Sequence, residues 1–256
     1  MPYCEVADGV RVYVQDFGEG QPVVFVHAGQ VTHRMWESQV AHLAGRYRTL
    51  AWDWRGTGAS DHPRGGYDCE TVASDLCALI EKSGAAPALL VGLGIGTHAM
   101  LYAAAQRPEL VKAMVLVSAA PWFAGERDGA TGGVSQEFLD YLARANEMKD
   151  ARGVPYAQAC EELGEWLFRH LQSPAVSQWL LEQAFSWPQY IINQYARSMR
   201  EIDHRERMKL IRCPTLIVQG RHDRKQRYEG AVYMASRIAG ARLVTLEDSA
   251  HMGQIE

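Results

Sequence analysis

The stretch Gly92-Leu93-Gly94-Ile95-Gly96 constrains this chain more than any other part of it. The four residues ahead of it, Ala88-Leu89-Leu90-Val91, form an apolar run of strand length. Residues 97–107 behind it read as a helix, with Thr97 as N-cap and Pro108 as the stop. A tight turn of small residues that joins a strand directly to a helix is the setting of a G-x-S-x-G nucleophile elbow, and Gly94 stands at its serine position. The competing reading is a dinucleotide-binding G-x-G-x-x-G turn, which also joins a strand to a helix. Here the third glycine comes one residue early. Leu116 lies inside the next strand, about where that motif places its acidic side chain.

The rest of the chain supplies the frame such a turn needs. Val10–Phe17 alternates polar and apolar residues and predicts a first, antiparallel strand. Val23-Val24-Phe25-Val26 is continuously apolar, as expected of a strand covered on both faces. Residues 35–44 predict a helix, Arg48–Trp52 a strand, and 68–82 an amphipathic helix ended by Ser83-Gly84. After the turn and its helix, residues 113–118, 215–219 and 242–246 predict three more strands, with a helix over 226–239. This rhythm predicts an α/β chain with a mostly parallel sheet and helices on both faces, residues 1–120 and 209–256 forming its core.

Between 121 and 208 the rhythm breaks, and an inserted helical cap is the expectation. Residues 125–133 are glycine-rich and polar and predict a loop. Helices are expected over 136–148, 156–171 and 188–199, and another starts at Ser173-Pro174, an N-cap followed by proline in the first turn. The segment carries Trp166, Trp179, Phe185, Trp187, Tyr190 and Tyr195. Most of these are expected to pack the cap on the core, and a minority to wall an apolar pocket.

Composition narrows the classes. Hydrophobic residues make up 47% and charged residues 22% of 256, enough for a large core and against global disorder. A net charge of -4 gives no reason to expect nucleic acid or an anionic membrane as partner. Cys4, Cys69, Cys77, Cys160 and Cys213 are scattered without a C-x-x-C pair, which predicts reduced thiols, a cytoplasmic setting and no zinc site. No secretory signal or membrane-spanning stretch is read from the sequence. The expected partner is a small-molecule substrate, with neither metal nor cofactor, acting on a monomer or homodimer.

Five separate motifs resemble the α/β-hydrolase family in order and spacing. They are His27-Ala28-Gly29-Gln30 after the second strand, Asp53-Trp54-Arg55-Gly56-Thr57-Gly58-Ala59-Ser60, the Gly94 turn, Gly220-Arg221-His222-Asp223, and Ser249-Ala250-His251-Met252. The resemblance implies an enzyme with His251 as general base and Asp223 as its orienting acid, with His222 a bystander. It implies an oxyanion hole from the backbone N–H groups of Ile95 and Gly29, with Gln30 as substitute if the loop is shifted by one. Arg55 and Asp53 are expected to brace their loop, His27 to support the oxyanion loop, and His98 to sit in the fold. His27, Gln30, Trp122, Trp166 and Trp187 are the candidates for touching substrate. The family usually adds a helix after the histidine loop. The sequence stops at Glu256, so a weakly anchored His251 is the expectation.

Glycine at 94 suits a turn with positive φ but brings no hydroxyl. Three readings stay open at the level of sequence. One is an enzyme on a small, largely apolar carbonyl compound (an ester, lactone or activated C–N or C–C bond) that works without serine. It would be similar to the aminoacrylate hydrolase of pyrimidine degradation, which the Asp53 turn and Ile211-Arg212-Cys213-Pro214 resemble. The second is a serine hydrolase inactivated by deliberate replacement. The third is a protein that binds a small ligand without catalysis.

Overall fold

The computed structural model describes residues 2–127, 129–141, 163–170 and 173–256. The strands are β1 (Tyr3–Ala7), β2 (Val10–Phe17), β3 (Pro22–Val26), β4 (Arg48–Trp52), β5 (Ala88–Leu93), β6 (Val111–Val117), β7 (Glu126–Arg127), β8 (Ala130–Thr131), β9 (Thr215–Gly220) and β10 (Arg242–Leu246). Eight of them form one sheet in the order β1-β2-β4-β3-β5-β6-β9-β10. The β1–β2 and β2–β4 pairs are antiparallel, and every pairing from β4 to β10 is parallel. The apolar run of β3 has a direct cause. Val24 pairs with Leu50 on one side and Leu90 on the other, and all three side chains are buried. On β2, Val10, Val12 and Val14 face inward between more exposed residues, which gives its alternation. The edge strand β1 leaves no apolar signature in the sequence, because Val6 is the one buried residue in its five.

Helices cover the sheet close to where periodicity placed them. Cys69–Lys82 is capped by Asp68, whose carboxylate accepts from Thr71 N–H at 2.8 Å, and it buries Val72, Leu76, Leu79 and Ile80. A buried, doubly bonded ion pair joins it to the turn after β4. Arg55 donates to Asp75 through Nε and Nη2, both at 2.6 Å. The helix expected over 35–44 is a 3-10 turn, His33–Trp36, followed by Glu37–Leu43. The one expected over 226–239 is Tyr228–Arg237. The helix after the Gly94 turn runs Gly96–Gln106 with Ile95 at the cap position, so Thr97 is not its N-cap. The Thr97 hydroxyl instead donates to Gly94 C=O at 2.6 Å and fastens the turn from within.

Between β6 and β9 no strand joins the main sheet among the described residues. Part of the expected loop at 125–133 is a small hairpin, β7 with β8. Pro174–Phe185 starts as expected, with the Ser173 hydroxyl accepting from Val176 N–H. Gln189–Met199 and Arg205–Met208 follow. Of the helices expected over 136–148 and 156–171, the segments 142–162 and 171–172, including Cys160, lie outside the described residues, while 136–141 and 163–167 are helical. Two bonds tie this region to the core loops: Trp187 Nε1 donates to Val31 C=O at 2.9 Å, and Tyr195 OH donates to Arg55 C=O at 3.2 Å. Cys4, Cys69, Cys77 and Cys213 are free thiols. Among the described residues no helix is long and apolar enough to cross a membrane.

Candidate active site

Gly94 sits at the C-terminal end of β5 with φ +53°, in the left-handed region that glycine enters without strain. A Cβ at this position would stand 3.3 Å from His251 Nε2 and 4.0 Å from the Ala28 Cβ. The turn therefore aims its missing side chain at the histidine. Gly92 and Gly96 are required by close approach. A Cβ on Gly92 would meet Met100 Sδ, and one on Gly96 would meet the carbonyls of His27 and Val26.

His251 is 1% exposed and lies in the loop after β10. Its Nδ1 is 2.9 Å from Asp223 Oδ2. Asp223 follows β9, and its other oxygen accepts from the N–H groups of Lys225 at 2.9 Å and Gln226 at 2.8 Å. Gln219 Nε2 also donates to Oδ2, at 3.0 Å. A carboxylate so committed to accepting requires Nδ1 of His251 to carry the proton, which leaves the Nε2 lone pair free toward Gly94. Nε2 has no hydrogen-bond partner among the described residues. Burial lowers the pKa of His251, the Lys225 ammonium lowers it further, and Asp223 opposes both. His222 is exposed, and its backbone bonds Ser249 C=O, so its ring is no part of the pair.

The N–H groups of Ile95, Gly29 and Gln30 carry no hydrogen bond among the described residues. A Cβ on Gly29 would meet Ile95 Cγ2 at 3.2 Å, so the two loops face each other closely. Gln30 has φ +61°, a strained conformation for a side chain of its kind and the sort of outlier that accompanies functional loops. His27 braces this loop: Nδ1 contacts Ala28 C=O at 2.7 Å, Trp54 N–H donates to Nε2 at 3.2 Å, and the ring stacks on Trp54. Burial lowers the pKa of His27 to about 4. Asp53 likewise braces its turn, accepting from His33 and Ala59.

The histidine loop is firmly held, contrary to the expectation of a weak anchor. Ser118 Oγ donates to His251 C=O at 2.8 Å, and Met252 N–H donates to Leu167 C=O at 3.0 Å. The Glu256 carboxylate accepts from the N–H groups of Ala250, Arg169 and His170.

Gly29, Gln30 and Ile95 open onto a cavity with about 160 Å³ accessible to water-sized molecules. That is room for roughly five waters at liquid density, the scale of a small molecule. Val31, Phe123, Phe138, Leu167, Leu180 and Met199 make its walls apolar, and His98, Lys225 and Gln226 add polar groups. Of the five residues expected to touch substrate, only Gln30 is on this wall among the described residues. Trp122 is turned into the core, with Nε1 on Gly125 C=O and its ring edge against Tyr233. Trp166 packs on Phe138 and Tyr141 beneath the Arg224 guanidinium. Trp187 is held between His27, Trp54 and Tyr195, and His27 itself is committed to its loop. Sequence gave these aromatics no direction. The cavity-facing histidine is His98, whose Nδ1 lies 2.9 Å from His204 Nε2, a pairing across 106 residues. Among the described residues no group of three or more His, Cys, Asp or Glu is arranged to hold a metal.

An ordered elbow, a histidine oriented by a carboxylate and paired loops of free N–H groups define a hydrolase-type site on a mostly parallel sheet. The chain belongs to the alpha/beta hydrolase fold family, whose model matches residues 21–256. It is 30% identical to the AB hydrolase superfamily protein YisY of Bacillus subtilis over 97% of this chain and 91% of that one. It is 29% identical to the non-heme chloroperoxidase of Streptomyces lividans, over 96% and 91%. Among solved structures, the esterase EaEST from Exiguobacterium antarcticum superposes with a TM-score of 0.88 at 30% identity, covering 97% of this chain and 91% of that one.

Proposed function

We propose that this protein hydrolyses a small, largely apolar carbonyl compound without a covalent serine step. His251, oriented by Asp223, takes a proton from water as that water attacks the carbonyl carbon. The N–H groups of Ile95 and Gly29 receive the developing oxyanion, and Gln30 N–H is within the same loop. His251 then returns the proton to the leaving group. The observation that carries this reading is His251 Nε2: buried, unpartnered among the described residues and aimed at a position that bears no side chain. A water molecule approaching that nitrogen meets no Cβ. The esterase named above and the apolar cavity both support a carbonyl substrate.

His251→Gln tests the base directly. Turnover of p-nitrophenyl acetate or dihydrocoumarin is expected to fall at least about 10²-fold with little change in KM. A variant that keeps the wild-type rate, or a wild type that turns over neither compound, removes the proposal. The pH profile gives a second check. Because His251 titrates below its ordinary value, kcat is expected to rise with pH through a midpoint below 6.5 and then stay level past neutrality. A midpoint at or above 7 contradicts His251 as the group being titrated.

A further inference from the structure

We propose that the substrate also carries a carboxylate, and that Lys225 is the residue in the cavity wall that receives it. This deepens the function proposed above and rests on it for the carbonyl end of the ligand.

Lys225 stands two residues past Asp223, on a loop fixed by that carboxylate. Its own N–H and that of Gln226 both donate to Asp223 Oδ1. Its C=O accepts from Ser135 N–H at 2.9 Å. The backbone is thus held by the same contacts that position the catalytic pair, and the side chain lines the cavity, with Nζ 5.0 Å from the Phe138 ring centroid. The ammonium makes no hydrogen bond or ion pair among the described residues. Lys225 is partly exposed and its ammonium lies over the Phe138 ring, a cation–π contact, but no anion among the described residues pairs with it. The apolar surroundings lower its pKa to about 8, against the pull of Asp223. Asp223 is not available as a close partner, since both its oxygens already accept. The acid on the neighbouring surface, Glu137, lies 3.9 Å from Arg224.

Gln226 supplies a second, independent sign of a polar ligand. It is 3% exposed and lies on the same wall, and its Oε1 has no partner among the described residues. Turning the amide over presents its NH2 donors at the same place. Ile95 and Gly29 open onto this same cavity. One ligand can therefore place a carbonyl at their N–H groups, an apolar body along Val31, Leu167 and Met199, and a carboxylate at the ammonium. A charge-assisted bond of this kind is stronger than a neutral one and discriminates against the neutral analogue.

The test is calorimetric titration of the full chain with hexanoate and with hexanamide, which match in length and differ in charge. Hexanoate is expected to bind at least tenfold more tightly. Lys225→Met is expected to bring the two within about twofold of each other, and Lys225→Arg to keep most of the preference. Equal affinities in the wild type, no binding of either compound, or a preference unchanged by Lys225→Met overturns the proposal. If Lys225→Met does not fold, the wild-type comparison and Lys225→Arg decide alone. Hexanoate has no bond that hydrolysis would break, and hexanamide is an unactivated primary amide whose integrity after each titration is checked by mass spectrometry. This result is therefore read separately from water activation by His251, which is followed by turnover.

Discussion

Gly94→Ser is expected to acquire fast ester hydrolysis through an acyl-enzyme. With p-nitrophenyl acetate the variant should release a stoichiometric burst of p-nitrophenol, and its rate should exceed the parent's by about 10²-fold or more. The reason is geometric. A Cβ at 94 stands 3.3 Å from His251 Nε2 and 3.6 Å from Cε1, so a hydroxyl one bond further on reaches the free lone pair with only a small shift of the ring. Asp223 already orients that ring, and the Ile95 and Gly29 N–H groups are already unpartnered among the described residues. The cost falls on stability. A non-glycine residue at φ +53° is strained by about 1–3 kcal/mol, partly offset by the lower entropy of the unfolded chain. A modest drop in Tm should therefore accompany the gain. Intact-mass spectrometry after a short pulse of ester checks for the acyl adduct on residue 94. A folded variant with neither burst nor adduct would show that His251 and the elbow do not form a working pair, and the water mechanism would fall with it.

What could be read from sequence follows from what sequence encodes. Buried parallel strands write themselves as apolar runs, so β3 through β6 were visible. The elbow is legible because each of its glycines answers a local demand: Gly92 leaves room for the Met100 side chain, Gly94 takes a positive φ, and Gly96 lies against the carbonyls of His27 and Val26. The places of Asp223 and His251 after strands are legible too, which fixes position but not environment. The hidden parts are those that depend on direction or on distant partners. Trp122, Trp166 and Trp187 are large and aromatic, as pocket walls often are, yet each ring packs on another ring, and Trp122 Nε1 also donates to the Gly125 carbonyl. Ser118, whose positive φ of 46° and bond to His251 C=O help hold the histidine loop, carries no local pattern that marks it. Lys225 carries no mark of its own beside the Asp223 motif, since one cation in a basic stretch ordinarily faces water. The His98–His204 pair joins residues too far apart in sequence for periodicity to connect.

Mild acid is expected to unfold this protein, and the buried histidines are the cause. His27, His98, His204 and His251 are each 2% exposed or less. Burial lowers His27 and His98 to about 4, takes His204 well below its ordinary value with His98 adding to the effect, and lowers His251. In the unfolded chain each titrates near 6.5. Between those values the unfolded state binds more protons, so stability is fully present above about 6.5 and is lost as pH falls toward 4. For His27 and His98 the displacement corresponds to about 3 kcal/mol each. Together that is a large part of the 5–15 kcal/mol typical of a folded domain. Asp75 works in the opposite sense, since burial raises its carboxyl despite Arg55. It is a single group against four. Urea unfolding followed by circular dichroism at pH 7.5 and pH 5 should therefore show a loss of several kcal/mol, with the steepest decline between pH 6 and 4.5. The slope itself reports the protons taken up, about 1.4 kcal/mol per pH unit for each histidine that stays neutral in the folded state. A change below about 1 kcal/mol across that range would mean that these rings accept protons without unfolding. The hydrogen bonds of His27 to the oxyanion loop and of His98 to His204 would then be worth far less than their burial implies.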